Sequence, residues 1–98
     1  MIITKNKIDS RTFIALSSLS MDLERVAMGY QRGSIKMAEK FLEEALRRKE
    51  ELDHLEVKPY VKNLLKKFIK IKSEKQITKK AEDALLYSIL FQNAATVK

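Results

Sequence analysis

The 98-residue sequence predicts an all-α fold, a small bundle of three to four helices organised along one long helix. Two observations carry that prediction. Only two glycines and one proline occur, so the chain has few of the residues that make tight turns. Between Ser20 and Leu52, moreover, Leu23, Val26, Ala27, Tyr30, Ser34, Met37, Ala38, Phe41, Leu42, Ala45 and Leu52 recur at spacings of three, four or seven. Those spacings place them on one broad stripe of a helix with 3.6 residues per turn. At about 1.5 Å per residue, a continuous helix here would be roughly 50 Å long. It cannot bury its own stripe, so the remaining chain must fold back along it. A hydrophobic fraction of 45% and a charged fraction of 34% suit one globular domain over residues 1–98.

Taken in order, residues 1–8 begin apolar, turn polar and are expected to be disordered. Asp9 and Ser10 offer N-caps for a helix entering at Arg11, whose face is Phe13, Ile14, Leu16 and Leu19. Ser17, Ser18 and Ser20 have poor helix propensity, because their hydroxyls compete for backbone groups. At 100° per residue, however, Leu16 and Leu19 project onto the stripe of Leu23 and Tyr30, which favours one helix running through the serines. Gly29 and Gly33 lie four apart near one edge of that stripe, and each costs about 1 kcal/mol relative to alanine. They mark either a close approach by another helix or a break at Gly33-Ser34. The polar side alternates charge, with Glu43–Arg47 and Glu44–Arg48 at the four-residue spacing of helical ion pairs.

Asp53 to Lys58 reads as a connection, and Pro59 suits the first turn of the next helix, where its missing N–H costs nothing. Tyr60, Val61, Leu64, Leu65, Phe68, Ile69 and Ile71 form the predicted inner face of that helix. Ser73 to Ile77 reads as a loop and Thr78 as the cap of a last helix reaching about Ala95. From Ala84 to Phe91 that helix is apolar on nearly every side, Tyr87 and Ser88 excepted. In so small a domain, part of that surface is expected to face another chain.

Charge is the informative functional feature. The net charge is +7. Between Val57 and Lys80 stand Lys58, Lys62, Lys66, Lys67, Lys70, Lys72, Lys75, Lys79 and Lys80, with Glu74 the sole acid. Nine cations against one acid make that quarter +8, and eleven cations against twelve acids leave the rest at −1. Lys62, Lys66 and Lys70 form a row at four-residue spacing, which adds repulsion without intrahelical pairing. Such a row suits phosphate contact with counterion release. It also contains no arginine for bidentate reading of guanine, so binding is expected to be non-specific and salt-sensitive. Tyr60 and Phe68 sit on the apolar stripe and are expected in the core rather than as stacking platforms.

Other chemistries find little support. There is no cysteine, hence no disulfide, thiolate nucleophile or cysteine metal site, and no cofactor is expected. No phosphate-binding glycine loop occurs. No apolar run reaches the roughly 18 residues that span a bilayer, and the N-terminus lacks a signal-peptide core, so cytoplasm is the expected compartment and membrane is not an expected partner. The acids Glu50, Glu51, Asp53 and Glu56 have Arg47, Arg48 and Lys49 as neighbours, which accounts for them as surface pairs. Abundant lysine, glutamate and isoleucine with few asparagines, glutamines and glycines resembles a thermophile composition.

Two resemblances follow from these residues. Arg48 followed after five residues by His54 is similar to the Arg-x(4–6)-His motif of the HEPN helical ribonucleases, although Lys49 stands where that family often has a small polar residue. That resemblance implies Arg48 and His54 acting on an RNA phosphate and 2′-hydroxyl. The size, composition, lysine row Lys58–Lys72 and apolar end Ala84–Phe91 resemble the small basic helical accessory subunits of crenarchaeal B-family DNA polymerase holoenzymes. That resemblance implies a non-catalytic subunit that binds a larger protein and supports synthesis near DNA. The expected function is therefore a non-enzymatic subunit of a nucleic-acid-processing assembly. The nine lysines would face phosphate, DNA before RNA, and the apolar C-terminal helix a protein partner or a second copy. The alternatives are a HEPN-like ribonuclease and a docking module without nucleic acid.

Overall fold

The computed structural model describes residues 10–96. The expectation of disorder over residues 1–8 and the capping role expected of Asp9 fall outside the described residues. Helix α1 spans Ser10–Gln31, α2 Ile35–Asp53, α3 Pro59–Phe68, the single turn α4 Lys70–Ser73, and α5 Ile77–Ala95. There are no strands among the described residues. The all-α bundle is thus as predicted.

The helix expected from Ser20 to Leu52 is two helices. Gly33 adopts φ +79°, a conformation that no continuing helix allows, and the chain reverses through Arg32-Gly33-Ser34. The Gly33 and Ser34 N–H groups donate to the carbonyls of Tyr30 and Gly29, which closes the end of α1. Periodicity could not reveal this, because α2 packs back on α1 and both stripes face the same core. The serines, by contrast, do not interrupt α1.

Gly29 has the other role considered for the pair. A Cβ built there would stand 2.9 Å from the N, Cα and Cβ atoms of Ala38. The start of α2 therefore presses onto the α1 backbone.

The neighbours define an up-down-up-down arrangement. Gly29 meets Ala38, and Asp22 faces Arg48, so α1 and α2 are antiparallel. Ser20 Oγ donates to the Ser88 carbonyl at 2.8 Å, and Lys80 Nζ lies 5.4 Å from the Tyr30 ring centre, so α5 is also antiparallel to α1. Phe68 meets Phe91 edge-on at 5.6 Å, and Lys80 Nζ donates to the Lys72 carbonyl, so α3–α4 runs back along α5. The result is a body of 52 × 19 × 17 Å.

Residue size sets the spacing of the helices. The buried positions of α2 and α5 include the small residues Ala38, Ala45, Ala81, Ala84, Ser88, Ala94 and Ala95, and at two of them, Ala38 against Gly29 and Ser88 against Ser20, α1 approaches closely. Helix α3 is held by larger buried groups, Val61, Leu65 and Phe68, with Ile71 continuing the stripe into α4.

Three local expectations need correction. Tyr60 and Ile69, placed on the inner face of α3, are 47% and 43% exposed. They lie at the two edges of a stripe whose centre is filled by Val61, Leu65 and Phe68. Thr78 is not the cap of α5, which starts at Ile77. Instead the Glu74 carboxylate accepts the Lys75 and Gln76 N–H groups, and the turn α4 shortens the connection to Glu74–Gln76. On α2, the predicted Glu43–Arg47 and Glu44–Arg48 pairs are replaced by others: Arg47 bonds Glu44 at 2.6 Å, and Arg48 reaches Glu51 at 3.6 Å and Asp22 of α1 at 4.0 Å. Buried Asp22 draws Arg48 away from Glu44.

Candidate nucleic-acid interface

The lysine-rich segment begins at Lys58, the extended N-cap of α3, where Pro59 enforces the helical start. On α3 the apolar positions Val61, Leu65 and Phe68 turn inward, so Lys66 and Lys67 necessarily turn outward, and both are exposed. They stand in its last turn, where the ends of the backbone carbonyls favour cations. No acid occurs on α3, so no intrahelical partner competes for them.

The nine lysines fall into three groups. Lys58, Lys66, Lys67, Lys72 and Lys75 are exposed, and their ammonium groups have no ion pair or hydrogen bond among the described residues. Lys62, Lys70 and Lys80 rest on neutral groups. Lys62 Nζ donates to the Asp53 carbonyl at the end of α2, tying α2 to α3. Lys70 Nζ stands 5.8 Å from the Tyr87 ring centre. Lys80 turns inward, its Nζ over Tyr30 and within reach of the Lys72 carbonyl. Lys79 alone is neutralised by a carboxylate, at 3.2 Å from Asp83 Oδ1. That hydrogen bond, and then the Asp83 charge, hold its ammonium above the ordinary lysine range.

Asp83 is a buried acid inside this cluster, 4% exposed. Its Oδ2 has no hydrogen-bond partner. With Lys70, Ser73, Lys75 and Lys79 it lines an open cleft of about 480 Å³ between α4 and the start of α5.

The bundle adds cations that sequence order does not connect. The end of α1 and the start of α2 lie beside the start of α5, as the Lys80–Tyr30 and Gly29–Ala38 approaches show. Exposed Arg32 and Lys36 therefore share one end of the body with Lys72, Lys75 and Lys79. No local signal marks them, since only the antiparallel packing brings them there.

The other faces differ in chemistry. Arg48 is turned toward α1, where its Nε is buried without a hydrogen bond and 4.0 Å from Asp22 Oδ2. Burial raises the Asp22 pKa, with Glu44 adding to the effect and Arg48 and Arg25 opposing it. His54 is exposed at the C-cap of α2, beside an open groove with Arg47, Glu50, Glu51 and Asp53. Six residues apart, Arg48 and His54 point about 120° away from each other around the helix axis. Lys49 bonds Asp53 at 2.7 Å and Arg48 reaches Glu51, so of the acids expected to form surface pairs at this end, Asp53 and Glu51 do, while Glu50 and Glu56 have no ion pair among the described residues. Among the described residues, no three histidines or acids are grouped to hold a metal ion.

On α5 the expected exceptions are reversed. Tyr87 and Ser88 are buried, while Leu85, Leu86 and Ile89 are 41%, 51% and 50% exposed. Ser88 is inside, where its carbonyl accepts the Ser20 hydroxyl of α1 and its own hydroxyl donates to the Leu85 carbonyl. Phe13, Ile14 and Met21 of α1 are also exposed. Among the described residues, no helix is long and apolar enough to cross a membrane.

Comparison of the chain with protein-family models, with curated proteins and with solved structures finds no match.

Proposed function

We propose that this protein is a non-catalytic basic subunit of a nucleic-acid-processing assembly, holding DNA without sequence preference through α3, α4 and the turn into α5. One observation carries the reading. Five ammonium groups of the lysine segment stand exposed and unpartnered, and only Lys79 is spent on a carboxylate. Intramolecular pairing does not account for that row, whereas phosphate neutralisation does. The exposed aliphatics of α5 support a second contact, with a larger protein or a second copy, because side chains of this size leave water on association. Both features agree with the polymerase accessory role that the sequence resembles, in the cytoplasm and near a replicating strand.

The test is the salt dependence of duplex binding. Each phosphate-neutralising lysine contributes about 0.9 to the slope of log affinity against log salt. Lys66→Gln with Lys67→Gln is expected to reduce that slope by almost two at unchanged fold, with no dependence on base sequence. DNA affinity, for duplex and single strand alike, no better than that of a neutral protein at about 50 mM salt would overturn the reading and leave the docking module. RNA cleavage abolished by both Arg48→Ala and His54→Ala would overturn it in favour of a ribonuclease.

A further inference from the structure

One exposed lysine of α3, Lys67, shares its side of the helix with an aromatic ring. Tyr60 is 47% exposed, although the apolar stripe of its own helix is buried around it. Its hydroxyl makes no hydrogen bond among the described residues. Counting by three and seven, Tyr60, Asn63 and Lys67 lie along one side of α3, and all three are exposed. Lys66, six residues from Tyr60, points about 120° away from it around the axis and borders Asn63 instead. Lys67 is about 10 Å along the axis from Tyr60, close enough for one strand to touch both. Phe68, the other aromatic of α3, is wholly buried against Phe91. The other exposed aromatic among the described residues, Phe13, belongs to α1, a helix without lysine.

We propose that Tyr60 makes this interface a site for single-stranded nucleic acid, with a base stacked on its ring, a nearby phosphate on Lys67, and Lys66 meeting the strand where it passes around the helix. This rests on the phosphate-binding reading above. The physical distinction is direct. In a duplex the base faces are covered by their neighbours in the stack, so a tyrosine on the protein surface gains nothing from them. In a single strand every base offers a face, and stacking is tolerant of sequence, as a row of lysines also is. The lysines alone would not distinguish the two forms by contact chemistry, since both present the same phosphates. The ring does.

The experiment compares a mixed-sequence DNA strand of about 16 nucleotides with its own duplex, by fluorescence anisotropy at about 50 mM salt. The expected result is tighter binding of the strand. Tyr60→Ala should then weaken strand binding by about 5- to 100-fold and leave duplex binding unchanged, while Tyr60→Phe keeps the strand affinity. Because the chain has no tryptophan, Tyr60→Trp supplies a single emitter at the site. Its emission should be quenched by the strand and not by the duplex. Strand binding unchanged in Tyr60→Ala, with Lys66→Gln and Lys67→Gln still weakening both forms, would overturn this inference and leave the phosphate reading standing. Wild-type protein that binds neither form would overturn both. Circular dichroism of each variant separates loss of contact from loss of fold.

Discussion

Replacing Gly29 by alanine sets two effects against each other, and the structure decides the sign. In a helix interior, alanine is favoured over glycine by about 1 kcal/mol. At Gly29, however, the new Cβ would lie 2.9 Å from three atoms of Ala38, where ordinary contact begins at 3.4 Å. Two of those atoms are backbone, so no rotamer change relieves the overlap. The start of α2 must retreat by about half an ångström, against the close seating of Ala38, Leu42 and Ala45. Overpacking of this kind costs about 1–3 kcal/mol. After the propensity gain, a net loss of between zero and about 2 kcal/mol is expected, a fall in Tm of up to about 15 °C for a domain of this size. Thermal melts followed at 222 nm would measure it. Adding Ala38→Gly should restore only part of the loss, because the Ala38 N and Cα remain at the same distance. A Tm above that of the wild type would refute the close approach of α1 and α2, since propensity alone predicts a rise of about 4–8 °C.

Other outcomes follow from the same contacts. Phe68→Ala removes the fully buried ring that seats α3 against Phe91, and should cost about 3–5 kcal/mol in urea unfolding. Asp22→Asn should stabilise the protein at neutral pH. The Asp22 pKa is raised by burial, so the folded state holds the proton more tightly than the unfolded chain and the charged form weakens folding as pH rises through the folded pKa. The advantage of the variant should therefore shrink as pH falls and vanish below 3.8, and an advantage that grows with acid would contradict the burial of that carboxylate. Leu86→Gln and Ile89→Gln, at half-exposed sites, should shift stability by no more than about 0.5 kcal/mol. A loss of several times that, with a concentration-dependent melt, would identify the face as buried between two copies. Lys79→Gln should leave the salt slope of DNA binding unchanged, because that ammonium is already neutralised by Asp83.

The candidate interface was legible in part. That Lys66 and Lys67 face outward follows from the periodicity of Val61, Leu65 and Phe68, a local property of one helix. That Lys79 is neutralised was in principle visible at the four-residue spacing to Asp83. The inward turn of Lys80 onto Tyr30 was not, since the two residues are fifty apart and meet only when α5 lies along α1. Tyr60 was misplaced because a helical stripe has edges, and spacing alone does not say how wide a strip the neighbouring helices will cover.

Taken by itself, the chain determined its helical class, the helical start at Pro59, the end near Ala95 and the concentration of positive charge, because propensity, capping and periodicity act within a few residues. Tertiary structure decided where the long stripe folds, which aliphatics stay in water and which cations remain free. An apolar surface has no preferred partner until another helix is laid on it. Gly33 could have continued a helix at small cost, and its turn became the favoured path only because α2 then buries its face against α1.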